Sequence, residues 1–153
     1  MRCWCARRNF WSESKIERPS SDHCGFQYLK LINHASITPH RRWHGPNEAW
    51  VIGGDFNSSE TFDFGPGGPR GNKEHLDHMA ELGLTECLRK SRGKLAPTFR
   101  HSRGSIQHQI DHLFVTKCLA DKLQSCDVGV QEEIFGANPR LSDHLPIIAD
   151  FNI

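Results

Sequence analysis

Three short polar segments carry the residue types that metal-assisted hydrolysis requires. They are residues 54–57 (Gly-Asp-Phe-Asn), residues 110–112 (Ile-Asp-His) and residues 142–144 (Ser-Asp-His). Each segment lies beside an apolar run that is typical of a buried strand, and open α/β sheets build their sites at strand ends. The shared position beside strands predicts that the three segments form one site.

The spacing within these segments indicates what each side chain can do. Residues two apart in an extended segment point the same way, so Asp55 and Asn57 can offer a carboxylate and an amide oxygen to one centre. Asp143 adds a hard oxygen ligand, and His144 adds an imidazole. Asp111 supplies a carboxylate that can hold that imidazole in one tautomer. Each segment, taken singly, is equally typical of a turn or a helix cap. Only the occurrence of all three beside apolar strands favours a hydrolytic site.

Apolar runs predict the strands that position the polar segments. We expect a strand buried on both faces before the first segment, a strand carrying the second segment and a strand after the third, at residues 49–52, 109–116 and 145–151. A further short strand is expected near residues 128–130. Because strands outnumber helices and are irregularly spaced, the pattern predicts an α/β layered domain.

Two helices are predicted from apolar positions at helical spacing. Residues 26–35 repeat an apolar side chain every three positions and predict an amphipathic helix. The second helix is expected to begin at Asn72, acting as its N-cap, and to stop at Gly83.

Composition excludes several classes of protein. The chain has 153 residues, a net charge of +1 and six scattered cysteines. This size predicts one domain, and the balanced charge predicts no global field that would attract nucleic acid or a membrane. No apolar stretch approaches the roughly 18–20 residues that span a bilayer, and the first residues have no signal-peptide pattern. A soluble cytoplasmic protein with mostly free thiols is expected.

Four ordered elements resemble motifs of the endonuclease/exonuclease/phosphatase superfamily, which includes exonuclease III, DNase I and inositol-polyphosphate phosphatases. The elements are residues 51–57, 97–99, 110–116 and 141–146, and the resemblance extends from Ala49 to Phe151. It implies a DNase I-like two-sheet α/β sandwich with its site at the sheet edges. It also implies hydrolysis of phosphodiesters or phosphomonoesters with Mg²⁺ or Mn²⁺ as the cofactor.

The resemblance implies roles for the matching residues. Asp55 would activate or orient the attacking water, and Asn57 would hydrogen-bond the phosphoryl oxygens in the transition state. His144, oriented by Asp111, would contact the scissile phosphate. Asp143 would help to bind the metal. These roles supply what an in-line displacement at phosphorus needs, namely charge neutralisation, a placed nucleophile and oriented donors.

Positive charge is concentrated in loops around the second resembling element. Basic residues recur through residues 89–94 and 100–103. Such runs are often no more than a solvated surface, but in a nuclease they would contact backbone phosphates. We therefore expect four residues to bind substrate: Thr98, Phe99, Arg100 and Arg103. Nucleic acid is the expected partner, although inositol phosphates and phospholipid headgroups would be attracted by the same charges.

Part of the family pattern has no counterpart in this sequence. Family members carry an early Asn and a metal-binding Glu in an N-terminal half, and neither segment is found before Asp55. We therefore interpret residues 1–25 as an irregular, unmatched segment and residues 26–153 as the C-terminal part of the domain, with the N-terminal half missing. On this interpretation the chain alone would bind Mg²⁺ weakly and cleave phosphodiesters slowly or not at all.

Three hypotheses remain open at this point. A nuclease is favoured over an inositol-phosphate or phospholipid phosphoesterase, and over a catalytically dead phosphate-binding module. A nuclease that recognises abasic sites would be expected to carry Trp shortly before Asp111, where this chain has Gln-His-Gln. His108 and His112 are interpreted as sharing a strand face and flanking Asp111 rather than binding a ligand.

Overall fold

The computed structural model describes residues 2–3, 26–28, 48–66 and 68–152. Within these residues the chain forms nine strands, four α-helices and a 3₁₀ helix at Glu60–Phe64. The strands are β1 (Arg2–Cys3), β2 (Phe26–Tyr28), β3 (Ala49–Asp55), β4 (Leu84–Glu86), β5 (Phe99–Arg100), β6 (Ile106–His108), β7 (Asp111–Thr116), β8 (Leu123–Val128) and β9 (Ile147–Phe151). The helices are α1 (Asn72–Glu81), α2 (Cys87–Arg92), α3 (Lys117–Ala120) and α4 (Gln131–Phe135).

The strands form two larger sheets and one ribbon. One sheet has the order β2-β3-β7-β4, the other has the order β1-β9-β8, and β5 pairs with β6. Strand β2 runs parallel to β3, whereas the other pairs are antiparallel. The predicted mixed α/β architecture with two sheets is confirmed.

The β3–β7 pair is buried on both faces because its alternate side chains enter two different apolar clusters. Val51 and Val115 belong to a cluster that also includes Ile147 and Ala149 of β9, so this cluster joins the two larger sheets. Ile52 and Phe114 point to the opposite face; there they pack with two further residues, Met79 of α1 and Leu84 of β4. The pair therefore provides a rigid platform for the polar residues at its end.

The sequence-based prediction of a helix at residues 26–35 is wrong at its start. Phe26–Tyr28 form strand β2, in register with residues 49–51 of β3. Aromatic residues suit a strand, and hydrogen bonding to the edge of β3 outweighs the apolar spacing of three. Residues 29–35 lie outside the described residues. Within the segment predicted to be irregular, Arg2–Cys3 pair with β9.

The second predicted helix is present, but its N-terminus is capped differently. Asn72 is the first helical residue rather than the cap, and Gly71 precedes it with a φ of 77°. The Asp63 carboxylate accepts hydrogen bonds from the Asn72 side chain and from the backbone N–H groups of Lys73 and Asn72. The bond from the Asn72 side chain is the main cause that lowers the pKa of Asp63 to about 2. The Asp63 side chain, nine positions before Asn72, therefore accepts the first N–H groups of the helix, which is the capping role predicted for Asn72. Within the described residues, no helix is long and apolar enough to cross a membrane.

Candidate active site

Asp55 and Asp111 lie opposite each other at one end of the β3–β7 pair. Asp55 is the last residue of β3 and Asp111 is the first residue of β7, and antiparallel pairing places them in register. Directly opposed residues of an antiparallel pair have their side chains on the same face. The strand pairing therefore brings together two of the three polar segments.

The third polar segment joins this pair through a hydrogen bond between Asp111 and His144. The Asp111 Oδ2 atom lies 2.8 Å from the His144 Nδ1 atom, and the two side chains are only 8% and 3% exposed. An isolated bridge between Phe99 and His144 fixes the backbone of the third segment beside β5. The predicted Asp111–His144 pair is therefore present, although 33 positions separate its members.

The pair is arranged to keep the imidazole protonated. Burial lowers the pKa of His144, but the hydrogen bond to Asp111 and the charges of Asp111, Asp55 and Asp143 together raise it above its ordinary value. Burial raises the pKa of Asp111, and the hydrogen bond and charge of His144 oppose that effect. The His144 Nε2 atom is buried and has no hydrogen-bond partner among the described residues. This atom can donate a hydrogen bond when the ring is protonated.

A tight turn places Asn57 beside Asp55. The backbone N–H of Asn57 donates to Asp55 Oδ1 at 2.9 Å, and Asn57 has a φ of 50°. Asn tolerates this left-handed conformation better than most residues, and the Asp side chain stabilises the turn. Asp55 is half-buried and Asn57 is exposed. The two polar groups therefore lie at the end of β3, with Asn57 facing solvent.

The carboxylate cluster has a donor set that fits a divalent cation. One candidate ligand atom from each of Asp55, Asp111 and His144 lies within 4.8 Å of the other two. Carboxylates this close repel each other, and Mg²⁺ or Mn²⁺ would relieve that repulsion through the oxygen ligands that both ions prefer. Because Asp111 and His144 are already hydrogen-bonded to each other, the Asp55 carboxylate fits the ion better than either of them does.

Asp143, the residue predicted to bind metal, lies next to this cluster but outside it. Its Oδ1 atom is 3.9 Å from His144 Nε2, and its side chain is 40% exposed. Its backbone carbonyl accepts the N–H of Arg100 at 2.8 Å, which anchors the segment against β5. A carboxylate at this distance can complete a metal site only together with ligands from elsewhere.

Thr98 does not have the exposure that the predicted substrate contact requires. It is fully buried, and its hydroxyl accepts the backbone N–H groups of Ile110 and Asp111 at 3.2 Å and 3.1 Å. Its carbonyl accepts the N–H of Leu145 at 2.7 Å. Thr98 thus connects the strand that carries Asp111 to the segment that carries His144. We correct its expected role from binding substrate to positioning these two residues.

The other three residues predicted to bind substrate differ in their surroundings. The Phe99 ring packs 4.9 Å from the His144 ring, so Phe99 supports the imidazole directly. The Arg100 guanidinium lies 5.8 Å above the Phe135 ring, where it is half-buried. Arg103 is exposed in the turn between β5 and β6. Of these residues, Arg103 is the one placed to reach a phosphate in solvent.

Sequence analysis did not identify the role of His112. We interpreted His108 and His112 as sharing a strand face, but they lie in β6 and β7, which belong to different sheets. His112 is 1% exposed, and burial lowers its pKa to about 4 from its ordinary 6.5. A neutral imidazole buried in an apolar strand needs hydrogen-bond partners. A histidine inside an apolar strand was therefore the sequence feature that could have pointed to a structural role.

The fold was compared with known proteins. No protein-family model matches the chain, and no curated protein matches it. Solved structures do match, including a 3′-5′ exonuclease, NExo, from Neisseria meningitidis, with 25% identity and a TM-score of 0.58. An AP endonuclease from Archaeoglobus fulgidus matches with 20% identity and a TM-score of 0.60. A protein described as an endonuclease/exonuclease/phosphatase, from Beutenbergia cavernae, matches with 23% identity and a TM-score of 0.53.

The chain has the DNase I-like fold of the endonuclease/exonuclease/phosphatase superfamily. It aligns over 69% of its own length with the Neisseria exonuclease and over 73% with the Archaeoglobus endonuclease. It spans only 46% and 49% of those chains. A second Neisseria structure, a 3′ phosphatase NExo bound to a product DNA hairpin, matches equally well. The structures that share this DNase I-like fold thus include nucleases and a phosphatase.

Proposed function

We propose that this chain carries the hydrolytic site of a divalent-metal-dependent phosphoesterase that cleaves nucleic-acid phosphodiesters. The observation that carries the proposal is the buried Asp111–His144 hydrogen bond beside Asp55, at one end of β3 and β7. The likeness to a 3′-5′ exonuclease of the DNase I-like fold, at 25% identity, supports the same reaction class. A purely structural ion pair would not require a buried His144 Nε2 that lacks a hydrogen-bond partner among the described residues.

Each of these residues has a distinct role in an in-line displacement at phosphorus. Asp55 takes a proton from water as the water oxygen bonds to phosphorus and the bond to the leaving oxygen breaks. The leaving oxygen departs with the electron pair of that bond and takes a proton from solvent. Protonated His144 and the Asn57 amide donate to the phosphoryl oxygens, on which negative charge accumulates. Asp111 holds His144 in place through Nδ1. When bound by Asp55 and Asp143, Mg²⁺ or Mn²⁺ would neutralise charge on the phosphate.

Nucleic acid is favoured over other phosphoesters by the site's surroundings. Arg103 is exposed near β5, whose Phe99 contacts His144, so a polymer lying across the site would pass this cation. A DNA backbone offers phosphates at regular spacing along an extended strand, whereas an inositol polyphosphate carries its phosphates on a single ring. The match to an AP endonuclease, at 20% identity, concerns the fold alone and does not identify an abasic substrate.

A comparison of substrates tests this proposal. With the protein in excess and Mg²⁺ present, we expect a fluorescein-labelled DNA duplex to be cut faster than phosphate is released from inositol polyphosphate or phosphocholine from sphingomyelin vesicles. Arg103→Ala should weaken DNA binding and reduce the slope of log K against log salt by about 0.9, as expected for one lost phosphate contact. Arg140→Ala, which removes another exposed arginine, is the matched control. Faster release from either small substrate would contradict the proposal.

A further inference from the structure

The buried imidazole of His112 is hydrogen-bonded to the turn that carries Asn57. The His112 Nε2 atom lies 2.9 Å from the carbonyl oxygen of Ser58, the residue that follows Asn57. The other ring nitrogen, Nδ1, lies 3.1 Å from Gln109 Nε2. An amide N–H₂ can only donate, so Nδ1 accepts and the proton is on Nε2. His112 therefore donates a hydrogen bond to the Ser58 carbonyl.

Ser58 is fixed through its side chain as well. It is 8% exposed, and its hydroxyl donates to Asn72 Oδ1 at 3.1 Å. Asn72 Nδ2 in turn donates to Asp63 Oδ1 at 2.9 Å, at the start of α1. The backbone of Ser58 is thus attached to β7 and its side chain to α1. The Asn57 side chain is exposed, so burial does not hold it in place. The direction in which this side chain points is therefore set by the backbone of the turn.

The ring of His112 is held rigidly by its neighbours. It stacks on Phe114 with ring centroids 5.6 Å apart and meets the edge of Phe56 at 5.6 Å. Gln109 is itself fixed, because its Oε1 accepts the backbone N–H of Ala96 at 2.9 Å. The Glu86 carboxylate lies 4.0 Å from Nδ1. A donor held on four sides can define the position of the carbonyl that it binds.

We propose that His112 is a positioning residue for the reaction: through the Ser58 carbonyl it sets the backbone of the turn that aims Asn57. The inference rests on the proposed function of Asn57. His112 lies on the face of β7 opposite Asp111, so it does not touch the reacting atoms. A displacement of about 1 Å in a catalytic group can reduce the rate roughly 100-fold, so a rigid support behind the turn affects kcat.

Four substitutions test this role through kinetics. His112→Phe keeps the ring and removes the donor, and we expect kcat to fall about 10- to 100-fold with KM nearly unchanged. His112→Gln places an N–H₂ group near the position of Nε2 and should restore most of kcat, whereas the shorter His112→Asn should not. His78→Phe, on the surface of α1, is the matched control and should leave both constants unchanged.

A double variant separates positioning from general damage to the fold. In an Asn57→Ala background, His112→Phe should cause little further loss of kcat, because both changes remove the same oriented donor. Equal losses for His112→Gln and His112→Phe, or additive losses in the double variant, would overturn the inference. If His112→Phe fails to fold, the Gln and Asn pair gives the same comparison.

Hydrogen exchange at the Asn57 amide provides a readout that does not depend on activity. This N–H donates to Asp55 Oδ1, so a loosened turn should expose it to solvent. We expect faster exchange in His112→Phe than in wild type or His112→Gln, measured by NMR. Unchanged exchange would refute the inference. Faster exchange in a protein whose cleavage rate is unchanged by Asp55→Ala would leave the support of the turn intact and refute the proposed function instead.

Discussion

Asp55→Ala is expected to lower the single-turnover rate of DNA cleavage by about two orders of magnitude or more, and Asn57→Ala by about 10²–10³-fold. Asp55 is proposed to take the proton from the attacking water, and Asn57 is proposed to donate to charge that develops only in the transition state. Neither loss should therefore change substrate affinity greatly. The measurement is the dependence of the cleavage rate on protein concentration, which gives the maximal rate and the half-saturating concentration separately.

The Asp121→Ala variant is the matched control for these substitutions. Asp121 is an exposed aspartate whose carboxylate pairs with Lys117 on α3, the helix that follows the end of β7 opposite Asp111. The Asp121→Ala protein should cleave DNA at the wild-type rate. If Asp55→Ala or Asn57→Ala instead changed only the half-saturating concentration, the residue would bind substrate in the ground state and its assigned role would be wrong.

The second large effect is expected at the Asp111–His144 pair. His144→Ala should abolish most activity at every pH, because it removes the donor that faces the phosphate. Asp111→Asn removes the negative charge that helps to raise the pKa of His144, so His144 should lose its proton at lower pH. The alkaline limb of the rate profile should therefore shift to lower pH. The His144 pKa can be followed independently by NMR titration of its ring nitrogens.

A double-mutant cycle tests whether the two residues act as one unit. The variant that combines Asp111→Asn with His144→Ala should be little worse than His144→Ala alone, because Asp111 is proposed to act only through the imidazole. Additive losses would show that the residues act independently. An unchanged His144 pKa in Asp111→Asn would separately contradict the electrostatic role of the 2.8 Å hydrogen bond.

Strands β3 and β7 were predictable because local chemistry and tertiary packing agree there. The apolar run that ends at Asp55 is buried on both faces in β3, and the run from Asp111 to Thr116 is β7. Family resemblance then predicted that Asp111 and His144 would meet, and the structure contains their hydrogen bond. The catalytic roles assigned to these residues remain proposals.

The failures of sequence analysis occur where a partner distant in sequence decides the outcome. Phe26–Tyr28 form a strand because β3 provides an edge, which spacing within the segment cannot indicate. Thr98 carries a hydroxyl suited to binding phosphate, yet its burial against the backbone of Ile110 and Asp111 gives it a positioning role. His112 donates to a carbonyl 54 positions earlier in the chain. None of these contacts follows from propensity or local pattern.

The most direct test of the central claim is the rate of DNA strand cleavage as a function of Mg²⁺ concentration. Any cleavage by the purified chain is expected to be slow, to be absent in EDTA, to rise with Mg²⁺ or Mn²⁺ until it saturates, and to be lost in Asp55→Ala. The Asp121→Ala control should show the same saturation. Cleavage that persists in EDTA or in Asp55→Ala would contradict the proposed function.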